Sequence, residues 1–218
     1  MADKRIEICR ASFDYDSDYR ISPTRFRGFM AHLFSNISEF HHHSADSYHY
    51  PLIQYKRLDK RIAIIGIGEF AEIVAKNISN IDHITTEKQK IPIKNIQIEN
   101  SEFVRRYGAF QYGFASPWIA LNKQNYEKFR VLNREQRKEQ LERILVGNIL
   151  SLYKGLMIHI ENRIEVKIQK QFIKKTTAHE NTFVGFFPQF TSTINIPEHL
   201  GIGKSVSKGF GVIRSIDC

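Results

Sequence analysis

Four imidazoles, three phenols and one ammonium group fall between Phe40 and Lys56, in the run Phe40-His41-His42-His43-Ser44-Ala45-Asp46-Ser47-Tyr48-His49-Tyr50-Pro51-Leu52-Ile53-Gln54-Tyr55-Lys56. Histidine both takes and gives a proton near neutral pH, so this grouping points to acid/base chemistry or to metal binding. A solvated polar loop is the alternative, and three consecutive histidines followed by a tyrosine-rich stretch weigh against it. Joint ligation of zinc by His41, His43 and His49 is a rival, but no fourth ligand suggests itself. His49 alternates with Tyr48 and Tyr50, which in extended chain turns it to the opposite face.

A second chemically loaded stretch is Gly201-Ile202-Gly203-Lys204-Ser205-Val206-Ser207-Lys208-Gly209-Phe210-Gly211. Glycines bracketing two lysines and two serines free the backbone to offer amides and cations to phosphate, and a flexible turn is the competing reading. Gly203-Lys204-Ser205 resembles the end of a nucleotide-binding P-loop, but Glu198 stands where that motif needs its first glycine. Gly66-Ile67-Gly68-Glu69-Phe70-Ala71 matches a dinucleotide fingerprint in spacing only. The strand before it pairs locally, and Glu87 lies in a polar run rather than at a strand end, so a tight strand-to-helix turn is the better reading. No cofactor and no metal are expected. Lys and Arg number 32 against 23 Asp and Glu, a formal charge of +9 that favours a polyanionic partner, nucleic acid or an anionic membrane. Arg25 and Arg27 on the first helix, Arg105 and Arg106, then Arg163, Lys167 and Lys175 add cations to those of the glycine segment.

The elements that must position these groups follow from periodicity. Ile6 and Ile8 alternate with charged neighbours as a strand, and Ser22-Pro23 caps a helix expected to run from Pro23 to Ser38 and to deliver the His run at its C-terminus. Strands follow on either side of a turn at Leu58-Asp59-Lys60, the second being Ile62 to Ile67. A second helix carries Phe70, Ile73, Val74 and Ile78, and Ile91 to Ile98 forms a fourth strand interrupted near Lys94-Asn95. This order is the split βαβ, ferredoxin-like unit whose sheet also serves RNA-recognition modules. A boundary near residue 99 divides the chain into 1–98 and 99–218. The second part repeats the theme more loosely: an aromatic strand region, a long helix from Arg134, one long strand from Arg163 to Lys175 with a basic face, and a further strand pair from Thr182 to Ile196. The expected class is α+β, with two tandem ferredoxin-like units and a C-terminal glycine-rich loop. No stretch is apolar enough to span a bilayer, the N-terminus lacks a signal-peptide core, and Cys9 and Cys218 form neither a metal knuckle nor a disulfide framework. A soluble cytoplasmic protein is expected.

The tandem units, the Gly-x-Gly-x5-Gly-Phe-Gly loop and the histidines after the first helix resemble the CRISPR-associated repeat-processing endoribonucleases of the RAMP superfamily. Tyr48 to Lys56 followed by Ile64-Ile65-Gly66-Ile67-Gly68 narrows the likeness to the subgroup with a His-x-His active-site motif. The resemblance places the two histidines on His41 and His43 and the active-site tyrosine on Tyr50 or Tyr48; His42 stands where the family often has asparagine. It implies metal-independent cutting of CRISPR repeat RNA by the upstream 2′-hydroxyl, retention of the product and partnership with an interference complex, with the protein a monomer or homodimer. Lys56 or a tyrosine hydroxyl would stabilise the phosphorane, and the basic strand and glycine loop would hold the RNA backbone. A non-catalytic RNA-binding module and, distantly, a dinucleotide-binding oxidoreductase are the alternatives.

Overall fold

The structure is a computed structural model that describes residues 4–16, 18–37, 40, 49–86, 89–170, 173–178 and 181–216. The chain forms two units, Met1–Val104 with Ser207–Gly209, and Arg105–Val206 with Phe210–Cys218. The expected boundary after residue 98 falls inside a strand that continues to Val104.

The first unit runs β1 (Arg5–Tyr15), α1 (Pro23–Leu33), β2 (Ile53–Leu58), β3 (Arg61–Ile67), α2 (Glu69–Ile78), β4 (His83–Thr85) and β5 (Lys90–Val104). Its antiparallel sheet has the order β2-β3-β1-β5-β4. With the short β4 set aside, the order is second, third, first, fourth, the ferredoxin-like arrangement. The core lies between sheet and helices. Phe13, Phe26, Met30, Tyr55, Ile62, Ile64 and Val74 all have 0% exposure there, and each large apolar side chain so buried stabilises the fold by about 1.5–3 kcal/mol. Phe26 meets Phe13 and Tyr55 edge-on, at ring-centre separations of 5.0 and 5.8 Å.

Local chemistry explains the element ends. The Ser22 hydroxyl accepts a hydrogen bond from the Arg25 amide at 3.2 Å and Pro23 opens α1. The hairpin between β2 and β3 turns on Asp59 and Lys60, both at positive φ (45° and 76°), as a two-residue turn compatible with strand twist requires. In β5 the interruption expected near Lys94-Asn95 is a bulge: Asp14 opposes Asn95 and Tyr15 opposes Ile93, which leaves Lys94 as the extra residue.

The second unit runs β6 (Tyr107–Phe114), α3 (Lys123–Arg130), α4 (Arg134–Gly155), β7 (Val166–Lys170), β8 (Ile173–Ala178), β9 (Asn181–Phe186), β10 (Gln189–Ile194) and β11 (Ile213–Ser215). The four-stranded sheet β11-β6-β10-β7 has the same spatial order as the first, and β8-β9 is a separate hairpin. In place of a second helix stands the glycine-rich segment with one 3₁₀ turn, Val206–Lys208. The α4 helix begins with a reciprocal capping box between Asn133 and Gln136 and buries Leu141, Leu145, Ile149, Leu152 and Tyr153, while Arg134 to Gln136 of its first turn are exposed. The expected single strand from Arg163 to Lys175 is corrected. Val166–Lys170 pairs with β10 in the main sheet, whereas Ile173–Ala178 turns out to pair with β9, so Lys167 and Lys175 belong to different sheets and Arg163 precedes the first. The chain is thus α+β with two ferredoxin-like units. No helix among the described residues is long and apolar enough to cross a membrane.

Candidate functional site

His41, His42, His43 and Tyr48 lie outside the described residues; what flanks them is described. Phe40 is fully buried, its ring stacked on Phe34 at 4.7 Å, and Tyr50 is 6% exposed. The run is therefore bounded by two aromatic side chains set in the protein interior. The expected helix to Ser38 is corrected, because α1 ends at Leu33, with Phe34 capping at φ −107°, ψ 44° and the chain turning through Ile37 to Phe40. Phe34 leaves the helical path and packs against Phe40.

On the far side of the run, His49 is exposed and Tyr50 buried. The Gln54 side-chain N–H donates to the Tyr50 hydroxyl at 2.8 Å and to the Pro51 carbonyl at 3.0 Å. Gln54 itself has 0% exposure and is a site residue that sequence reasoning missed. The signal lay in β3: Ile62, Ala63, Ile64 and Ile65 are all buried, so the sheet is covered on both faces, and polar residues of the adjacent β2 are enclosed too.

Lys56 shares that face and has 0% exposure, opposite Ala63. Burial pushes its pKa well below the ordinary lysine range by penalising the charged form. An enclosed amine that disfavours its charge is a poor cation for a phosphorane, so the geometry withdraws support from that role for Lys56. On the other face of β2, the buried Tyr55 hydroxyl has no hydrogen-bond partner among the described residues, and burial raises its pKa.

The glycine segment is shaped by packing. Gly203, Gly209 and Gly211 all have positive φ (95°, 91° and 66°). A β-carbon on Gly203 would lie 2.7 Å from the Trp118 ring, and one on Gly209 2.5 Å from Pro23. Gly201 is buried and bridges Val212. Between these fixed points Lys204 and Ser205 are exposed and Lys208 is half-buried; Ser205 is also at positive φ, 57°. The segment therefore holds Lys204 out on a defined turn. Similarly, the fingerprint-like Gly66 exists because a β-carbon there would lie 2.3 Å from the Phe70 carbonyl oxygen, and β3 pairs antiparallel with both neighbours, which removes the parallel βαβ context that a dinucleotide site needs.

Of the other cations, Arg25, Arg106, Arg163 and Lys167 are exposed. Arg27 is half-buried, near enough to Tyr55 to oppose part of its pKa rise. Arg105 is committed within its unit, donating to the His159 carbonyl at 2.6 Å and lying over the Tyr107 ring at 5.3 Å. Lys175 sits in β8. In the second unit, a cleft that sequence reasoning missed brings Arg134, Arg137 and Lys138 of α4 together with Lys170 of β7. Among the described residues, no three His, Cys, Asp or Glu side chains are grouped to hold a metal ion.

Comparison with known proteins agrees with this geometry. Residues 4–104 match the Cas6b N-terminal domain and residues 105–216 the Cas6b C-terminal domain, dividing the chain where the structure does. A crystal structure of Cas6b superposes with a TM-score of 0.86 at 28% identity, covering 98% of this chain and 100% of that one. The structure titled CRISPR RNA processing endoribonuclease Cas6b gives a TM-score of 0.77 at 27% identity with the same coverage. An uncharacterized protein of Methanocaldococcus jannaschii, MJ0978, is 40% identical over 123 residues, 56% of this chain and 82% of its own length. Two domain matches that together span nearly the whole chain, on a fold with the same double ferredoxin-like order, make this protein a member of the Cas6b family.

Proposed function

We propose that the protein is a metal-independent endoribonuclease that cuts CRISPR precursor RNA within its repeats. The observation that carries this reading is the match of both halves to Cas6b, together with the whole-chain likeness to a CRISPR RNA processing endoribonuclease. The chemistry of the His run fits it. A 2′-hydroxyl becomes a nucleophile when a base removes its proton, and the departing 5′-oxygen needs one; His41 and His43 are the pair proposed for the two transfers. The 2′-oxygen bonds to phosphorus as the phosphorus–5′-oxygen bond breaks, leaving a 2′,3′-cyclic phosphate and a 5′-hydroxyl. Tyr50, whose oxygen accepts from Gln54, is the phenol proposed to act on a phosphate oxygen; Tyr48 is the alternative. Lys204 and Lys208, with the exposed arginines, hold the backbone without reading sequence.

On this reading the protein acts in the cytoplasm, retains the processed guide and hands it to an interference complex. The test is cleavage of repeat RNA in chelator by His41→Ala and His43→Ala. Loss of a general acid or base costs about 10²- to 10⁴-fold in rate, so both variants should cut that much more slowly while binding the repeat as before. Wild-type rates from both variants would remove the two histidines from the chemistry, and repeat RNA bound but left uncut by the wild-type protein would support a module that binds RNA without cutting it.

A further inference from the structure

We propose that a pocket in the first unit, between α1 and the β4–β5 turn, takes one unpaired base of the repeat RNA. The proposal rests on the RNA-cutting reading above and adds to it a place where the base sequence is read. The starting point is Gly28, which lies inside α1 on its exposed side, where glycine destabilises a helix relative to alanine. Neither backbone nor packing demands it. Gly28 is not among the glycines at positive φ, and a β-carbon there would meet no described atom within 4 Å. What the missing side chain leaves is open space, and Gly28 lines the pocket.

The rest of the lining suits a base. The volume is 360 Å³, at the small end of the roughly 300–1,000 Å³ usual for small-ligand sites, so it accepts one flat group and not a stack. Buried Ile21 and Ile91 form an apolar floor. Tyr19 and Phe29 are half-buried against the core, Phe29 held by stacking on Phe26 at a ring-centre separation of 6.3 Å. Aromatic side chains so placed bind splayed-out bases of single-stranded RNA by stacking. Arg20 and Arg25 are exposed cations of the same lining, and no described residue of it is acidic. The two clefts of the second unit differ, one containing Glu135 and the other Glu139, Glu142, Glu161 and Glu165. The sign of the charge therefore favours the phosphates on either side of a base here.

The wall facing α1 carries a group that tells bases apart. Thr86 and Gln89 close the β4–β5 turn on each other: the Thr86 amide and hydroxyl donate to the Gln89 carbonyl at 2.9 and 3.0 Å, and the Gln89 amide donates back to the Thr86 hydroxyl at 3.2 Å. These bonds fix Gln89 through its backbone. Its exposed side-chain amide offers an acceptor beside donors, the pattern that pairs with a base edge. The glycine segment brings the RNA backbone to this place, since Gly209 abuts Pro23 on the turn of α1 that carries Arg25.

The test measures the affinity of the full chain for repeat RNA made uncuttable by a 2′-deoxy nucleotide before the cut, using a series of RNAs that each lack one base. Removing one particular base should weaken wild-type binding roughly tenfold, the worth of one stacked base. Gly28→Leu, which fills the pocket, should weaken binding of the intact repeat by the same factor and lose nothing more when that base is absent. Its thermal midpoint should equal or exceed that of the wild type, because leucine is the better helix former and its β-carbon meets nothing, so the loss is not one of folding. Gln89→Ala should change the order of affinities among the four bases at that position and leave binding of the RNA lacking that base unchanged. If wild-type protein binds and cuts the repeat while Gly28→Leu binds it equally well, or while the losses from Gly28→Leu and from every base removal simply multiply, the pocket is overturned and the endoribonuclease reading stands. A wild-type protein that does not bind the repeat would overturn both.

Discussion

Replacing Gly203 with alanine should weaken the second unit severely, for two reasons visible at one position. The backbone there sits at φ +95°, and the added methyl would lie 2.7 Å from both Cδ1 and Nε1 of Trp118. Relief requires the indole to move, and its N–H donates to the Asn148 side-chain oxygen at 2.9 Å. Roughly 1–2 kcal/mol for an L-residue in a left-handed conformation, about 1 kcal/mol for the hydrogen bond and about 1 kcal/mol for displaced packing give about 3–4 kcal/mol. For a unit of this size that lowers the thermal midpoint by roughly 10 °C or more. Trp118 is the chain's single tryptophan and is fully buried, so its fluorescence reports the unit directly. The expected result is an early transition, with native emission already altered by the displaced ring. A variant with the wild-type midpoint and unchanged emission would show that the Gly203–Trp118 packing does not constrain the fold as argued.

Two further outcomes follow from the charged residues. The pKa of Lys56 is depressed in the folded chain, so the unfolded chain binds its proton first; stability is full above the ordinary lysine range and is lost as pH falls toward the depressed value. The loss is at most about 1.4 kcal/mol per pH unit for one proton. Lys56→Met should lack that component, so the difference in urea midpoint between the two proteins should grow as pH is lowered from 9 to 7; a constant difference would count against a depressed pKa. Replacing both Lys204 and Lys208 with alanine should weaken repeat RNA binding and reduce the slope of log affinity against log salt by about one to two, with the circular dichroism spectrum unchanged. An identical salt series would remove the glycine segment from the RNA interface.

Much of the fold was legible because its signals were local. The long helix from Arg134, with its buried stripe from Leu141 to Tyr153, and the strand–helix–strand–strand–helix–strand order of the first unit follow from spacing. The failures share a cause, in that periodicity does not say what an element packs against. Phe34 and Ile37 continue a helical rhythm, yet the chain turns so that Phe34 meets Phe40. Alternation persists from Arg163 through Lys175 although a sheet ends within it, because a hairpin keeps the same period as the strand before it. The boundary expected near residue 99 falls within β5, whose residues 97–102 are exposed and nearly all polar. Lys56, expected to stabilise the phosphorane, lies where a sheet buried on both faces encloses it. At the site, the residue types were visible in sequence, whereas the Gln54 hydrogen bond that orients Tyr50 required coordinates.

The central claim is that a 2′-hydroxyl of the RNA, deprotonated by the His run, is the nucleophile. Repeat RNA carrying a single 2′-deoxy substitution just upstream of the cut, incubated with the protein in chelator, tests it most directly. The account predicts unchanged binding, no cleavage at that position, and a 2′,3′-cyclic phosphate with a 5′-hydroxyl on the unsubstituted control. Cleavage of the deoxy-substituted RNA at the control rate would contradict it.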